Sequence, residues 1–441
     1  MTGFKVSGIG WGGVVLGVVL VAPGVASAQV SGAPTFAKDI APIFQEKCEA
    51  CHRPDSIAPM SLQSYEEVRP WVRSIKARVA ERQMPPWHLD KGVGIQKFKN
   101  DRSLSDDQIA TIVKWADTGA TRGDAKDMPA PKAWPEGQGW NYAAMFGQKE
   151  PDMIITSHSL TMPARAQDAW DKRQTPTGIT EPRWVRAIEI RPTTIKGRRI
   201  THHAIAYLRQ DDPGASAGFG LPTPFMEWAV GKEGELMRPD TGKLLVPGSM
   251  INWDIHYSQT GEEITSAVEL GIYFYPKGKE PKYRNTLALV PAALGEMDIH
   301  PNTISMSQGN TVLRQAARIE SFQAHMHLRG KAMMMEAILP TGQQLALSYV
   351  NDFNFNWHNT YIYADDAAPL LPKGTILKIT AWHDNTVAKK SNPDPNQWVG
   401  WGDRTVDEMA HAWVNIVYMS DEDYATEVQT RKTGTRTQQQ E

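Results

Sequence analysis

The chain has 441 residues, 22% of them charged, with a formal net charge of -2 and a pI near 6.7. That length exceeds one ordinary domain, and the near-neutral balance offers no basic face for nucleic acid or an anionic membrane surface. The 15 Trp and 30 Pro fit a loop-rich, largely β protein better than a helical one.

In chain order, residues 1–28 read as a signal peptide. Lys5 supplies a positive start, Val14 to Val21 form an apolar run too short to span a bilayer, and Ala26-Ser27-Ala28 is a small-x-small cleavage site. Export to the periplasm or beyond is the expectation, with no membrane span after cleavage. Phe36, Ile40 and Phe44 recur at helical spacing and lead into Cys48-Glu49-Ala50-Cys51-His52, which holds the only two cysteines of the chain. Two thiols at this spacing followed at once by histidine form the attachment motif of a c-type haem. Each thiol adds to one vinyl group, and His52 reaches the iron. A disulfide or a redox pair, the competing reading, has no use for the histidine. Val68, Val72, Ile75 and Val79 form a second apolar stripe. Ile109, Ile112, Val113 and Ala116 form a third, opened by the capping box Ser105 to Gln108 and stopped by Gly119. Short helices around one haem are the plan of a cytochrome c, placed at residues 29–127. For the sixth iron position Met84, held extended by Pro85 and Pro86, is favoured over Met60, and core packing is the bland alternative for either.

Residues 128–150 are rich in Pro and Gly and read as a linker. From 151 onward, short β-branched and aromatic runs such as 185–190, 200–208, 267–275, 376–382 and 412–418 alternate with turn residues. This pattern predicts two β-sandwiches or jelly rolls in tandem, at 151–285 and 286–428, followed by a disordered polar tail at 429–441. Within this region His202 and His203 are adjacent, His256 follows, His325 and His327 flank Met326, and Met409 sits in Asp407-Glu408-Met409. Residues two apart on a strand share a face, so His325 and His327 can converge on one ion. Neighbours on a strand oppose each other, so His202 and His203 can share a metal only where the strand ends or bulges. Imidazoles together with a thioether select copper that cycles through the cuprous state.

The order of "THHAIAYL", "DIHYSQTG", "QAHMHLRGKAM" and "WGDRTVDEMAHAW" resembles the type II copper, ascorbate-dependent monooxygenases, the family of peptidylglycine α-hydroxylating monooxygenase and dopamine β-monooxygenase. The resemblance covers roughly residues 150–425 and implies two jelly-roll domains with one copper each across a solvent-filled cleft. It makes His202, His203 and His256 the ligands of an electron-transfer copper. It makes His325, His327 and Met409 the catalytic set, holding the copper that binds dioxygen. The chain departs from that family in having no cysteines to spare for disulfides, in Gln323 where the peptide enzyme has arginine, in His411 and Trp413 beyond the methionine, and in the haem motif itself. Peptidylglycine is therefore not the expected substrate.

The combined expectation is a multidomain protein: an all-α cytochrome c domain, then two tandem all-β jelly-roll domains. It would carry one covalent haem c and two coppers, and would hydroxylate a C–H bond of a small organic substrate with O2. Electrons would come from ascorbate or a redox protein and be relayed by the haem. A periplasmic electron-transfer or copper-binding haem protein without a substrate is the alternative. His300, His358 and His383 have no partner spacing and read as structural or surface residues.

Overall fold

Alternating apolar residues build two pairs of stacked sheets. The computed structural model describes residues 32–433 except 55, 135–138, 213–223, 230, 231, 233 and 294. The predicted signal peptide and residues 434–441 lie outside the described residues. In the first pair, Arg183–Pro192 and Val268–Phe274 pair antiparallel, as do Thr201–Arg209 and Met250–Tyr257. Val185, Ile188, Leu270 and Ile272 of one sheet meet Ala204, Ala206, Ile251 and Trp253 of the other in one buried cluster. In the second pair, Ala410–Met419 lies between Tyr283–Ala293 and Ala316–His325. Its inward residues, with Ile319 and Phe322, pack on Met333, Met335, Leu377 and Ile379 of the facing sheet.

The two sandwiches are not separate. Thr241–Leu245 pairs in parallel with Tyr283–Ala293 through Tyr283↔Thr241 and Arg284↔Gly242, so one sheet of 10 strands runs through both. The expected boundary at 285/286 falls inside the strand Tyr283–Ala293. A second joint forms where Ile205 and Tyr207, on the outer face of the small sheet, pack on Leu287, Leu289 and Trp413 of the large one. Strand alternation puts His203 on the face of Ile205, and His411 on the face of Trp413. The histidines therefore meet in this joint.

An independent all-α cytochrome c domain is not formed. Strand accounts for 36% of the structure and helix for only 16%, in short pieces. The predicted stripes do become helices, at Ala41–Lys47, Tyr65–Val68, Val72–Ala80 and Asp106–Asp117. Ser105 Oγ accepts from the Gln108 amide at 3.1 Å, and Gln108 Oε1 accepts from the Ser105 amide at 2.9 Å, as a capping box should. The helices close on a small cluster with Leu62, Leu104 and Trp115. The chain after Met84 then leaves the helical region and runs over the second sandwich. Leu89 bridges to Val350 and Phe98 to Tyr363, Leu89 joins the β core, and Trp87 meets Tyr361 edge-on at 4.8 Å. The described residues from Pro34 onward form one unit.

Two other segments are more ordered than composition predicts. In the expected linker, Trp140 packs on Ala187 and Tyr273, and the amides of Asn141 and Tyr142 each donate to the Glu189 carboxylate at 2.8 Å. Residues 429–433, expected to be disordered, belong to the helix Asp421–Thr433. Arg431 anchors that helix on the carbonyls of Asp365 and Ala368. No helix among the described residues is long and apolar enough to cross a membrane.

Candidate metal and cofactor sites

The haem motif closes the helix Ala41–Lys47. The amides of Cys51 and His52 both donate to the Cys48 carbonyl, at 3.1 and 3.0 Å, so the motif continues as a helical turn and its two cysteines lie one turn apart. They are not joined in a disulfide. Reactive redox pairs lower their thiol pKa; here burial, aided by Cys51 and Glu49, pushes the Cys48 thiol up to about 12. Cys48, Cys51 and His52 line a cavity of 610 Å³ with Leu62, Ile75 and Val79, within the roughly 300–1,000 Å³ usual for ligand sites. His52 Nδ1 bonds to the Met60 carbonyl at 3.2 Å, which leaves Nε2 as the bare nitrogen. Met60 and Met84 both line the cavity. The Met60 backbone is tied to the proximal ring, whereas Met84 enters from a separate loop.

The adjacent histidines gather with His256. The register of Met250–Tyr257 steps from His256↔His203 to Tyr257↔Thr201, so His202 is the extra residue of a β-bulge. The bulge re-aims its side chain: Nδ1 of His202 lies 3.2 Å from Nδ1 of His203. The His256 ring centre is 5.2 Å from that of His202 and 5.1 Å from that of His203. One ligand atom from each residue falls within 4.8 Å of the others. His256 Nε2 donates to Asp168 at 3.0 Å, which leaves Nδ1 for an ion, and Trp170 stacks on the ring at 4.6 Å. Burial pushes all these imidazoles down, His202 to about 4. They are thus held in the neutral form that ligates metal.

His325 and His327 do not converge as strand neighbours, because the strand ends at His325. His327 sits in the turn that follows, with ring centres 5.6 Å apart. The segment around Met409 is fastened beside both. The Asp407 carbonyl accepts from His327 Nδ1 at 3.0 Å, which leaves Nε2 bare. The buried Glu408 carboxylate accepts from the amides of His327 and Arg329 at 2.9 and 2.6 Å. His383 Nε2 donates to the Met409 carbonyl at 3.1 Å, so this histidine is structural. His411 lies directly across the sheet from His325 and stacks on it at 4.5 Å. Burial pushes His325 well down, and His411 to about 3.

The two sets adjoin instead of facing each other across a wide cleft: His203 and His325 have ring centres 6.2 Å apart. Phe355 stacks on His202 at 4.6 Å and lies 6.0 Å from His327. His358, which spacing left unassigned, is buried among them, 4.9 Å from His325 and 5.9 Å from His202. Its neighbour Trp357 lines the cavity of the haem motif. This loop is clamped to the N-terminal segment: Asn359 Nδ2 donates to the Pro86 carbonyl at 2.9 Å, and Asn100 Nδ2 to the Thr360 carbonyl at 2.8 Å. The aromatic, asparagine-rich run Phe353 to Asn359 was the one signal in the sequence that could have drawn attention to His358.

No family model matches the chain, and no curated protein does. Similar solved structures include the infectious bursal disease virus VP2 subviral particle, at 12% identity over 67% of this chain and 76% of that chain, with a TM-score of 0.18. The T=1 particles derived from infectious bursal virus match at 10% identity over 67% and 73%, also with a TM-score of 0.18. Likeness that low carries no argument about fold or function.

Proposed function

We propose that this chain is an exported copper- and haem-dependent monooxygenase that hydroxylates a C–H bond of a small organic substrate with O2, drawing electrons from ascorbate or a redox protein. The observation that carries the reading is the convergence of His202, His203 and His256 next to a looser set around His325 and His327, with the His256 and His327 tautomers fixed by hydrogen bonds, in a chain whose Cys48, Cys51 and His52 line a cavity. His202, His203 and His256 would hold one copper, and His325, His327 and Met409 the other. Cys48 and Cys51 would bind a haem covalently, with His52 and Met84 as its axial ligands. When bound, these groups supply one-electron redox chemistry and a place for dioxygen.

The protein's own residues supply orientation and dryness. Asp168 and the Asp407 carbonyl each hold one nitrogen of His256 and of His327 by a hydrogen bond, which would leave the other nitrogen of each ring to bind an ion. Glu408 and His383 hold the Asp407-to-Met409 segment against the His325–His327 turn. Phe355 and Trp170 cover the rings with apolar surface, which keeps water from competing for them.

Metal analysis of exported protein tests this reading. One iron and two coppers per chain are expected, along with oxygen uptake by reduced protein that rises when a C–H substrate is present. A chain that binds no copper, or whose oxygen uptake ignores every substrate, refutes it. One observation favours the substrate-free alternative. The sets lie within 6.2 Å of each other and are largely buried, and a pure electron carrier gains by a closed site. Full metal loading with no substrate-dependent uptake would decide for that carrier.

A further inference from the structure

His358 belongs to neither histidine set, and its surroundings give it no ordinary structural task. The side chain is 3% exposed. Neither ring nitrogen makes a hydrogen bond of ordinary length and angle; the Phe355 backbone offers the ring at most a loose one. Buried polar atoms almost always find partners, so a ring with both nitrogens bare calls for an account. His325 Nδ1 is bare as well. Two imidazoles bound to one tetrahedral ion at about 2 Å have ring centres about 5 Å apart. The His325–His358 separation is 4.9 Å with the planes tilted by 45°. By contrast His411, at 4.5 Å and 21°, lies nearly parallel to His325, and stacked rings cannot aim at one ion.

We propose that His358 is a metal ligand, completing with His325 and His327 a nitrogen-rich site around the second ion. This rests on the copper reading above. Among the described residues only His202, His203 and His256 have their ligand atoms within 4.8 Å of one another, so the second set is looser and an ion would draw its rings inward. His358 also lies 5.9 Å from His202, and it therefore borders the first set too.

Copper titration of the metal-depleted full chain, read by competition with a cuprous chelator and by electron paramagnetic resonance of the cupric form, tests the assignment. His358→Phe should leave the first copper unchanged, weaken the second at least tenfold, and remove one nitrogen coupling from its spectrum. His358→Gly should show the same loss, restored by free imidazole. His300→Ala, at an exposed site, should change nothing. X-ray absorption on unmodified protein settles the matter even where a variant does not fold. Three imidazoles on each copper support the proposal, and three on one with two on the other overturn it. Wild-type affinity and spectrum in His358→Phe overturn it as well. Failure of the function is distinguishable: weakened copper in His358→Phe, with no substrate oxidation by wild-type protein, keeps the ligand and removes the monooxygenase. A wild-type chain that takes up no copper removes both.

Discussion

Asp168 and Asp407 perform one task on different histidines. The Asp168 carboxylate takes the Nε2 proton of His256, and the Asp407 carbonyl takes the Nδ1 proton of His327, so each ring is left with its other nitrogen bare. Removing such an outer partner typically costs 10–100-fold in metal affinity. Asp168→Ala should therefore weaken the first copper by about that factor and leave the second untouched, which a chelator competition would read directly. His325→Ala should lose one copper of the expected two, together with oxygen reactivity, measured by metal analysis and an oxygen electrode. At this scale the histidines themselves were legible, because adjacent and alternate spacing carries geometric meaning. Asp168 was not: it lies 88 residues from His256, and a lone aspartate in a polar stretch has no signature. His358 had only the aromatic, asparagine-rich run Phe353 to Asn359 to mark it, since a loop and not a strand delivers it and spacing carries no geometric meaning there.

Elements were read more completely than their assembly. The need for a bulge at His202 follows from strand alternation, and the register carries one there. The capping box at Ser105 is present with both bonds. Ser105→Ala should destabilise the helix Asp106–Asp117 by about 1 kcal/mol, measured by thermal unfolding. Trp115, three residues beyond Ile112 on the same helix, is fully buried and extends the third stripe. The large sheet also carries a buried charge cluster that sequence could not place. Lys232 and Lys243 reach Glu235 at 2.9 and 2.7 Å. Burial opposes ionisation of Glu235, but the two lysines outweigh it and hold the carboxyl at about 2 against an ordinary 4.5. A depressed carboxyl stabilises the fold above its unfolded pKa and loses that contribution as pH falls through the folded one. Thermal stability should therefore drop between pH 4.5 and 2. Glu235→Gln should flatten that limb and lower stability at pH 7 by on the order of 3 kcal/mol.

For the whole molecule, periodicity revealed which segments are helix and which are strand, but not that they share one framework. The reason is the range of the pairings. Leu89 meets Val350, Phe98 meets Tyr363, and Thr241 meets Tyr283 in a parallel bridge; none of these leaves a local trace. Leu89→Ala should cost about 2–3 kcal/mol by opening a cavity in the second sandwich. It should also loosen the helical segment, seen as faster amide exchange in the helix Val72–Ala80 than in the strand Ala410–Met419. The clamp of Asn359 on Pro86 and of Asn100 on Thr360 has a practical corollary for anyone cutting this protein into parts. The front third is no detachable module, because it braces the very bend that carries His358. A shortened chain starting near Gly139 would therefore keep all the histidines of the two proposed copper sets, and His358, yet surrender the brace, and cuprous ion should leave it sooner than it leaves the intact molecule.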